Sequence, residues 1–168
     1  MTMRSVATAV GITAMALYRH YPNRAGLLNS LADEGFVELG GRLNAAKLTG
    51  GTEKRLEKLM HLFIDFALER PRLFELMFLE PREGARQFPS DFREGQSPTA
   101  NPTAKVLEEG MAQGVLRKDD VWEIVFEMGA LLEGMLMLYL GGRMSMSEDE
   151  FRGFCRRSFM RYLHGIRK

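Results

Sequence analysis

Helix-breaking residues recur along the chain and divide it into segments with helical periodicity. Gly11 and Pro22 bound one such segment, and Pro71 ends another. Within 52–70, apolar side chains recur every three or four residues, the spacing of one helix face. No segment shows the alternation typical of a β-strand. We therefore predict an all-α fold of about eight helices, near 2–10, 14–20, 23–46, 52–70, 73–78, 101–113, 119–140 and 147–165.

The stretch 80–102 departs from this pattern. It holds four of the six prolines, together with Gly84 and Gly95. Such a composition favours irregular backbone. We predict an irregular, mobile connection with room for one helical turn.

Charge is unevenly distributed along the chain. Residues 1–32 contain Arg4, Arg19 and Arg24 but no acidic side chain, leaving 20 basic and 22 acidic residues in the rest. A basic N-terminal part on a slightly acidic body is typical of a protein that binds a polyanion.

Neither a disulfide nor a membrane span is predicted. Cys155 is the only cysteine, so no intramolecular disulfide can form. The most apolar stretch, 128–140, has 13 residues and contains Glu133, which makes it too short and too charged to cross a bilayer. We expect a cytoplasmic protein without a membrane partner.

Residues 2–24 show the pattern of two short helices joined by a tight turn. Ala7 is small where the helices would cross, and Gly11 supplies the turn. Val6, Val10, Ile12 and Leu17 are predicted to lock the first helix against the second. The side chains predicted to point outward, toward a DNA groove, are Thr13, Ala14, Met15, Ala16, Arg19 and His20.

This stretch resembles the helix-turn-helix of the tetracycline-repressor (TetR) family. The resemblance lies in 2–7, 10–13, 17–24 and Leu27-Leu28. It implies phosphate contacts from Thr2, Tyr18, His20 and Arg24, and base contacts from Thr13, Ala14, Met15 and Arg19.

Two details of the resemblance affect DNA recognition. Arg24 stands where the family usually has lysine, which keeps the charge and adds a fork of donors suited to phosphate. Arg19 is the candidate for reading a guanine. The alternative is that Tyr18, His20 and Tyr21 only pack a helix end.

The resemblance also includes a departure. The family's DNA-binding domain has a further helix before the helix-turn-helix, and this chain begins where that helix would already have ended. We expect either that the natural start lies upstream or that DNA binding is impaired. The predicted domains are an incomplete DNA-binding headpiece with its connecting helix, 1–46, and a ligand-binding and dimerisation domain, 52–168.

The predicted helix near 119–140 is apolar almost all round. A helix exposed on one side does not need this pattern. Together with the last helix, it predicts a four-helix interface between two copies of the chain; the alternative is burial in the core of one copy. The predicted interface residues are Val125, Leu132, Met135, Leu136, Phe159 and Leu163.

Met and Phe side chains in the body predict a cavity for a small apolar ligand, because methionine gives an adaptable apolar wall. The alternative is that these residues are only core. The predicted lining residues are Met60, Phe63, Phe66, Met77, Phe78, Trp122 and Phe126.

No catalytic constellation is recognisable. His61 and Asp65 share one helix face, but no third ligand or nucleophile accompanies them at a recognisable spacing. We predict a non-enzymatic protein without a cofactor or metal.

These expectations combine into one function. The sequence predicts a homodimeric repressor that binds an inverted-repeat operator in double-stranded DNA and responds to a small apolar ligand. The alternative is a dimeric ligand-binding or protein-interaction module that no longer binds DNA.

Overall fold

The computed structural model describes residues 2–168, and the all-α prediction is confirmed. Nine helices and no strand occur in this part of the chain. Eight correspond to the predicted helices, and the ninth is a single turn, α6, within the irregular stretch. The helices are α1 (Met3–Ala9), α2 (Ala14–His20), α3 (Arg24–Asn44), α4 (Thr52–Glu69), α5 (Pro71–Phe78), α6 (Ser90–Arg93), α7 (Asn101–Ala112), α8 (Val121–Leu140) and α9 (Glu148–Ile166).

Side-chain caps fix where several helices begin. Thr13 accepts a hydrogen bond from the backbone N–H of Ala16, and Ser147 forms a capping box with Glu150. Asn101 is the first residue of α7 and not its cap. Its side chain donates a hydrogen bond to the carbonyl oxygen of Gly95, at 2.7 Å.

The first two helices pack around a small core of their own. It consists of Met3, Ala7, Leu17 and Leu27, with Val6, Ala14 and Tyr21 packed against it. The prediction that Val10 and Ile12 lock the two helices together is wrong, because these side chains are 62% and 44% exposed. Both residues follow the end of α1, in the turn at Gly11, and this turn carries them away from the helix crossing.

A larger core occupies the body, with α4 at its centre. Helix α4 packs against α3, α5, α7, α8 and α9. Leu56, Ile64 and Phe66 are almost completely buried there. No helix of residues 2–168 has both the length and the apolar character needed to cross a membrane.

Helix α3 belongs to both cores. Its first turn contributes Leu27 to the small core, and Ala32, Phe36 and Leu39 are buried in the large one. A single helix of 21 residues therefore connects the headpiece to the body.

The residues predicted to form the dimer interface lie inside the body of one copy. All six are at most 7% exposed. Side chains buried in one copy cannot contact a second copy, so the interface prediction is wrong for these residues. The alternative, burial in the core of one copy, is the correct one. These six buried residues are Val125, Leu132, Met135, Leu136, Phe159 and Leu163. The opposite side of α8 is the exposed one and carries Phe126, Ala130, Met137 and Leu138.

Cys155 is fully buried. Burial raises the pKa of its thiol to about 11, so the thiolate is scarcely populated at neutral pH. Cys155 is therefore a structural thiol of the core.

Two neighbouring glycines of α3 provide a test of how closely the segment after α5 packs. A Cβ at Gly40 would lie 2.8 Å from Cβ of Pro98 and 3.1 Å from its carbonyl oxygen, whereas a Cβ at Gly41 would meet nothing within 4 Å. We predict that Gly40→Ala lowers the free energy of unfolding by about 1–3 kcal/mol. Gly41→Ala should raise it by up to about 1 kcal/mol, because alanine favours the helix.

Urea unfolding of both variants measures this difference. Equal stability of the two variants would show that Pro98 does not pack closely against α3.

Candidate DNA-binding surface and ligand cavity

Helix α2 presents one side to solvent. Met15, Tyr18, Arg19 and His20 are exposed along it, and Thr13 is exposed at its cap. Ala14 differs from the prediction, because it is half-buried and packs against the small core.

Two further residues of the predicted set flank this surface. Thr2 caps α1 by accepting a hydrogen bond from the N–H of Ser5, and Arg24 begins α3; both are exposed. Except for Ala14, the predicted DNA contacts therefore lie on open surface.

The three arginines of residues 2–24 have no acidic partner. Arg4, Arg19 and Arg24 are exposed and form no ion pair with any residue in 2–168. Many arginines of the body do form such pairs, for example Arg55 with Glu109, at 2.6 Å. The headpiece surface therefore keeps its positive charge available for a polyanion.

A cavity of about 510 Å³ lies in the body. Its walls come from α3, α4, α5, α8, Phe159 of α9 and the segment 80–103. Its volume is that of a typical small-molecule site. Five of the seven predicted lining residues do line it: Met60, Phe63, Met77, Phe78 and Phe126.

The other two predicted residues lie elsewhere. Phe66 is fully buried, with the guanidinium carbon of Arg42 5.4 Å from its ring centroid. Trp122 is in the first turn of α8, whereas the α8 residues that line the cavity are 125–133. Helical spacing predicted that these two apolar side chains face the interior of the body. It does not show how far the cavity extends along each helix.

Aromatic rings form two parts of the cavity wall. Phe78 lies edge-on to Phe36 and Phe63, with centroids 5.2 and 5.4 Å apart. Phe126 forms the other part, and its ring stacks at 4.4 Å on Phe88, which does not itself line the cavity. These surfaces suit a flat or chain-like apolar molecule.

Two arginines at the cavity were not predicted as site residues. Arg82 and Arg86 lie against Phe36, with their guanidinium carbons 5.2 and 5.0 Å from its ring centroid. Both come from the irregular stretch, where no periodicity indicates the direction of a side chain.

Glu133 also lines the cavity and was not predicted as a site residue. It forms no hydrogen bond or ion pair within the described chain, and burial raises the pKa of its carboxyl to about 7. The signal that could have found it is a single carboxyl in the apolar stretch 128–140. The other charged residues lining the cavity are Glu80, Arg82 and Arg86.

His61 and Asp65 do not combine into a site. His61 Nε2 lies 3.7 Å from a carboxylate oxygen of Glu57, and Asp65 pairs with Arg152. Across residues 2–168, no group of acidic, histidine and cysteine side chains is placed to hold a metal ion.

Glu133 should make the stability of the protein depend on pH. Because folding raises the pKa of its carboxyl from 4.5 to about 7, the folded state holds the proton more tightly than the unfolded state. The contribution of Glu133 to the free energy of unfolding should therefore be greatest below pH 4.5. This contribution should fall by about 3 kcal/mol as the pH rises from 4.5 through 7.

Urea unfolding between pH 5 and 8 tests this contribution. Glu133→Gln should remove it, whereas the control Glu108→Gln, at an exposed position, should keep it. If wild type and Glu133→Gln had the same pH profile, the carboxyl would not be desolvated as described.

Comparison with known proteins indicates the family. The family described as "Tetracyclin repressor-like, C-terminal domain" matches residues 56–158. The chain is 33% identical over 93 residues to the nucleoid occlusion factor SlmA of Pasteurella multocida (strain Pm70). It is 25% identical over 76 residues to SlmA of Glaesserella parasuis serovar 5 (strain SH0165). These alignments cover 51% and 45% of this chain but only 47% and 38% of the two relatives, so the chain matches less than half of their length.

Solved structures share the fold over the whole chain. A protein of unknown function from Rhodococcus sp. RHA1 has a TM-score of 0.75 and 25% identity, covering 100% of this chain and 86% of that one. The TetR-family transcriptional regulator PfmR from Thermus thermophilus has a TM-score of 0.72 and 18% identity, covering 100% and 90%. Because the family match extends over more than half of its residues, the chain belongs to the tetracycline-repressor (TetR) family.

Proposed function

We propose that this chain is a sequence-specific DNA-binding transcriptional regulator, a repressor whose operator affinity is controlled by a small, largely apolar ligand. The observation that carries the proposal is the exposed side of α2, where Tyr18, Arg19 and His20 stand beside cations without acidic partners. Membership of the TetR family supports the same function.

In this proposal, affinity and sequence preference come from different side chains. Thr2, Tyr18, His20 and Arg24 contact phosphates and fix the position of the headpiece on the duplex. Arg19 reads a guanine through its two parallel N–H donors, while Thr13 and Met15 contact neighbouring base edges.

A homodimer supplies the second half of the recognition. One α2 helix reads too few bases, whereas two copies related by a two-fold axis read half-sites about one helical turn apart. We place the interface on the exposed side of α8 toward its C-terminal end, around Met137 and Leu138. Gly134 adds room for close approach, since a Cβ there would meet nothing within 4 Å.

Ligand control follows from the position of α3. Phe36 of this helix lines the cavity, and Leu27 of the same helix belongs to the core of the headpiece. A ligand that fits the cavity better in one orientation of α3 than in another shifts the population toward that orientation. The spacing of the two headpieces then changes, and operator affinity falls.

Selection from a random duplex library tests DNA recognition. The chain should enrich an inverted repeat. Arg19→Ala should relax preference at one base of each half-site, by about 1–3 kcal/mol, because it removes a base contact. Arg24→Gln should weaken binding to all sequences alike and lower the salt slope by about one per protomer, because it removes a phosphate contact.

The matched control is Arg72→Gln, on the exposed surface of α5. It should change neither the base preference nor the salt slope of DNA binding. Failure of the wild-type chain to enrich any sequence would contradict the DNA-binding proposal and favour a dimeric module without DNA binding.

Sedimentation velocity tests the proposed interface. Met137→Glu should convert a dimer into a monomer, because two buried carboxylates would meet across the two-fold axis. Val37→Glu introduces the same charge at an exposed apolar position on α3 and should leave the dimer intact. A dimer that survives Met137→Glu would exclude this side of α8 as the interface.

A further inference from the structure

Arg82 has an unsatisfied donor at the cavity. Its side chain lines the cavity and is only 8% exposed. Nη1 donates to a carboxylate oxygen of Asp33 at 3.2 Å, but Nε is buried without a hydrogen-bond partner among residues 2–168. A buried N–H left unpaired costs roughly 1–3 kcal/mol, which an acceptor on a ligand would recover.

The free edge of this guanidinium has the geometry of a carboxylate site. In arginine, Nε–H and one N–H of Nη2 point in the same direction and bind both oxygens of a carboxylate. The contact with Asp33 uses Nη1, and no acceptor among residues 2–168 occupies this edge. Because Nε is closed to solvent, a carboxylate reaches the edge only when the flexible Arg82 side chain rotates toward the cavity.

A second guanidinium strengthens the positive field at the same end of the cavity. Arg86 lies against the same Phe36 ring as Arg82. Its Nε donates to the backbone carbonyl of Gln96, at 2.7 Å, so this bond leaves its charge unneutralised. Two cations therefore share one end of the cavity, where Asp33 of α3 pairs with Arg82.

The carboxyls that line the cavity oppose an anion only weakly. Glu80 is exposed, so solvent screens its charge. The pKa of Glu133 is raised to about 7 by burial, so near neutral pH much of this side chain is protonated and able to donate a hydrogen bond.

We propose that the cavity binds an amphipathic carboxylic acid, with its carboxylate on the Nε–Nη2 edge of Arg82 and its apolar body among Phe63, Phe78 and Phe126. This inference rests on the proposed function, in which the cavity is the regulatory site. It also gives the ligand a connection to the headpiece, because the bound carboxylate and Asp33 of α3 share one guanidinium.

Calorimetric titration of the wild-type chain with three probes that share one apolar body tests the ligand class. The probes are 6-phenylhexanoate, 6-phenylhexanol and 6-phenylhexylamine, at pH 7. The carboxylate should bind at least about tenfold more tightly than the alcohol, because a charge-assisted bidentate pair exceeds a neutral hydrogen bond. The amine should bind most weakly.

Variants then assign the preference to Arg82. Arg82→Gln should bring the carboxylate to within about threefold of the alcohol, since the charged fork is lost. Arg82→Lys, which keeps the charge but lacks the fork, should be intermediate. Arg72→Gln, at an exposed arginine of α5, should match wild type.

The outcomes separate the two proposals. If the alcohol or the amine binds as tightly as the carboxylate, the ligand class is wrong, and the cavity remains a ligand site. If none of the probes binds, both the ligand class and the ligand-control half of the proposed function are overturned, while duplex selection decides DNA binding independently. The ranking of the probes on wild type decides the ligand class even if Arg82→Gln does not fold.

Discussion

The structure depends on the burial of one helix in two separate cores. Leu27 holds the first turn of α3 in the small core of the headpiece, and Ala32, Phe36 and Leu39 hold the rest in the body. The headpiece core has only four buried residues, so its orientation depends strongly on α3. A packed helix moves as a unit, which makes α3 the physical connection between cavity and DNA-binding surface.

The parts of the fold that local chemistry determines were predictable from sequence. Thr13, Asn23 and Ser147 cap helices that begin close to their predicted starts, because a side-chain oxygen placed before a helix satisfies its free N–H groups. Gly11 takes the left-handed conformation that the turn requires, with φ of +73°. The exposed side of α2 follows from the same local pattern.

The packing of the helices against one another was not predictable from sequence in the same way. Helix α8 is apolar on two sides, and nothing in its sequence shows which side faces α4. The predicted interface therefore included Leu132 and Leu136, which the body buries. The prediction for Phe66 failed for a similar reason. Its position in α4 indicates that the side chain is buried, but not whether it reaches the cavity. Arg82 and Arg86 lie in a stretch without periodicity, so only the folded chain places them against Phe36.

The central claim is that the DNA-binding surface and the cavity are coupled through α3. Amide hydrogen exchange of the chain, with and without a duplex that it selects, tests this claim directly. Since coupling between two sites is reciprocal, DNA should protect α2 and also change exchange in α3 beyond Leu27 and in residues 80–100. Changes confined to residues 2–27 would show that the headpiece binds DNA independently of the body, and would contradict the account.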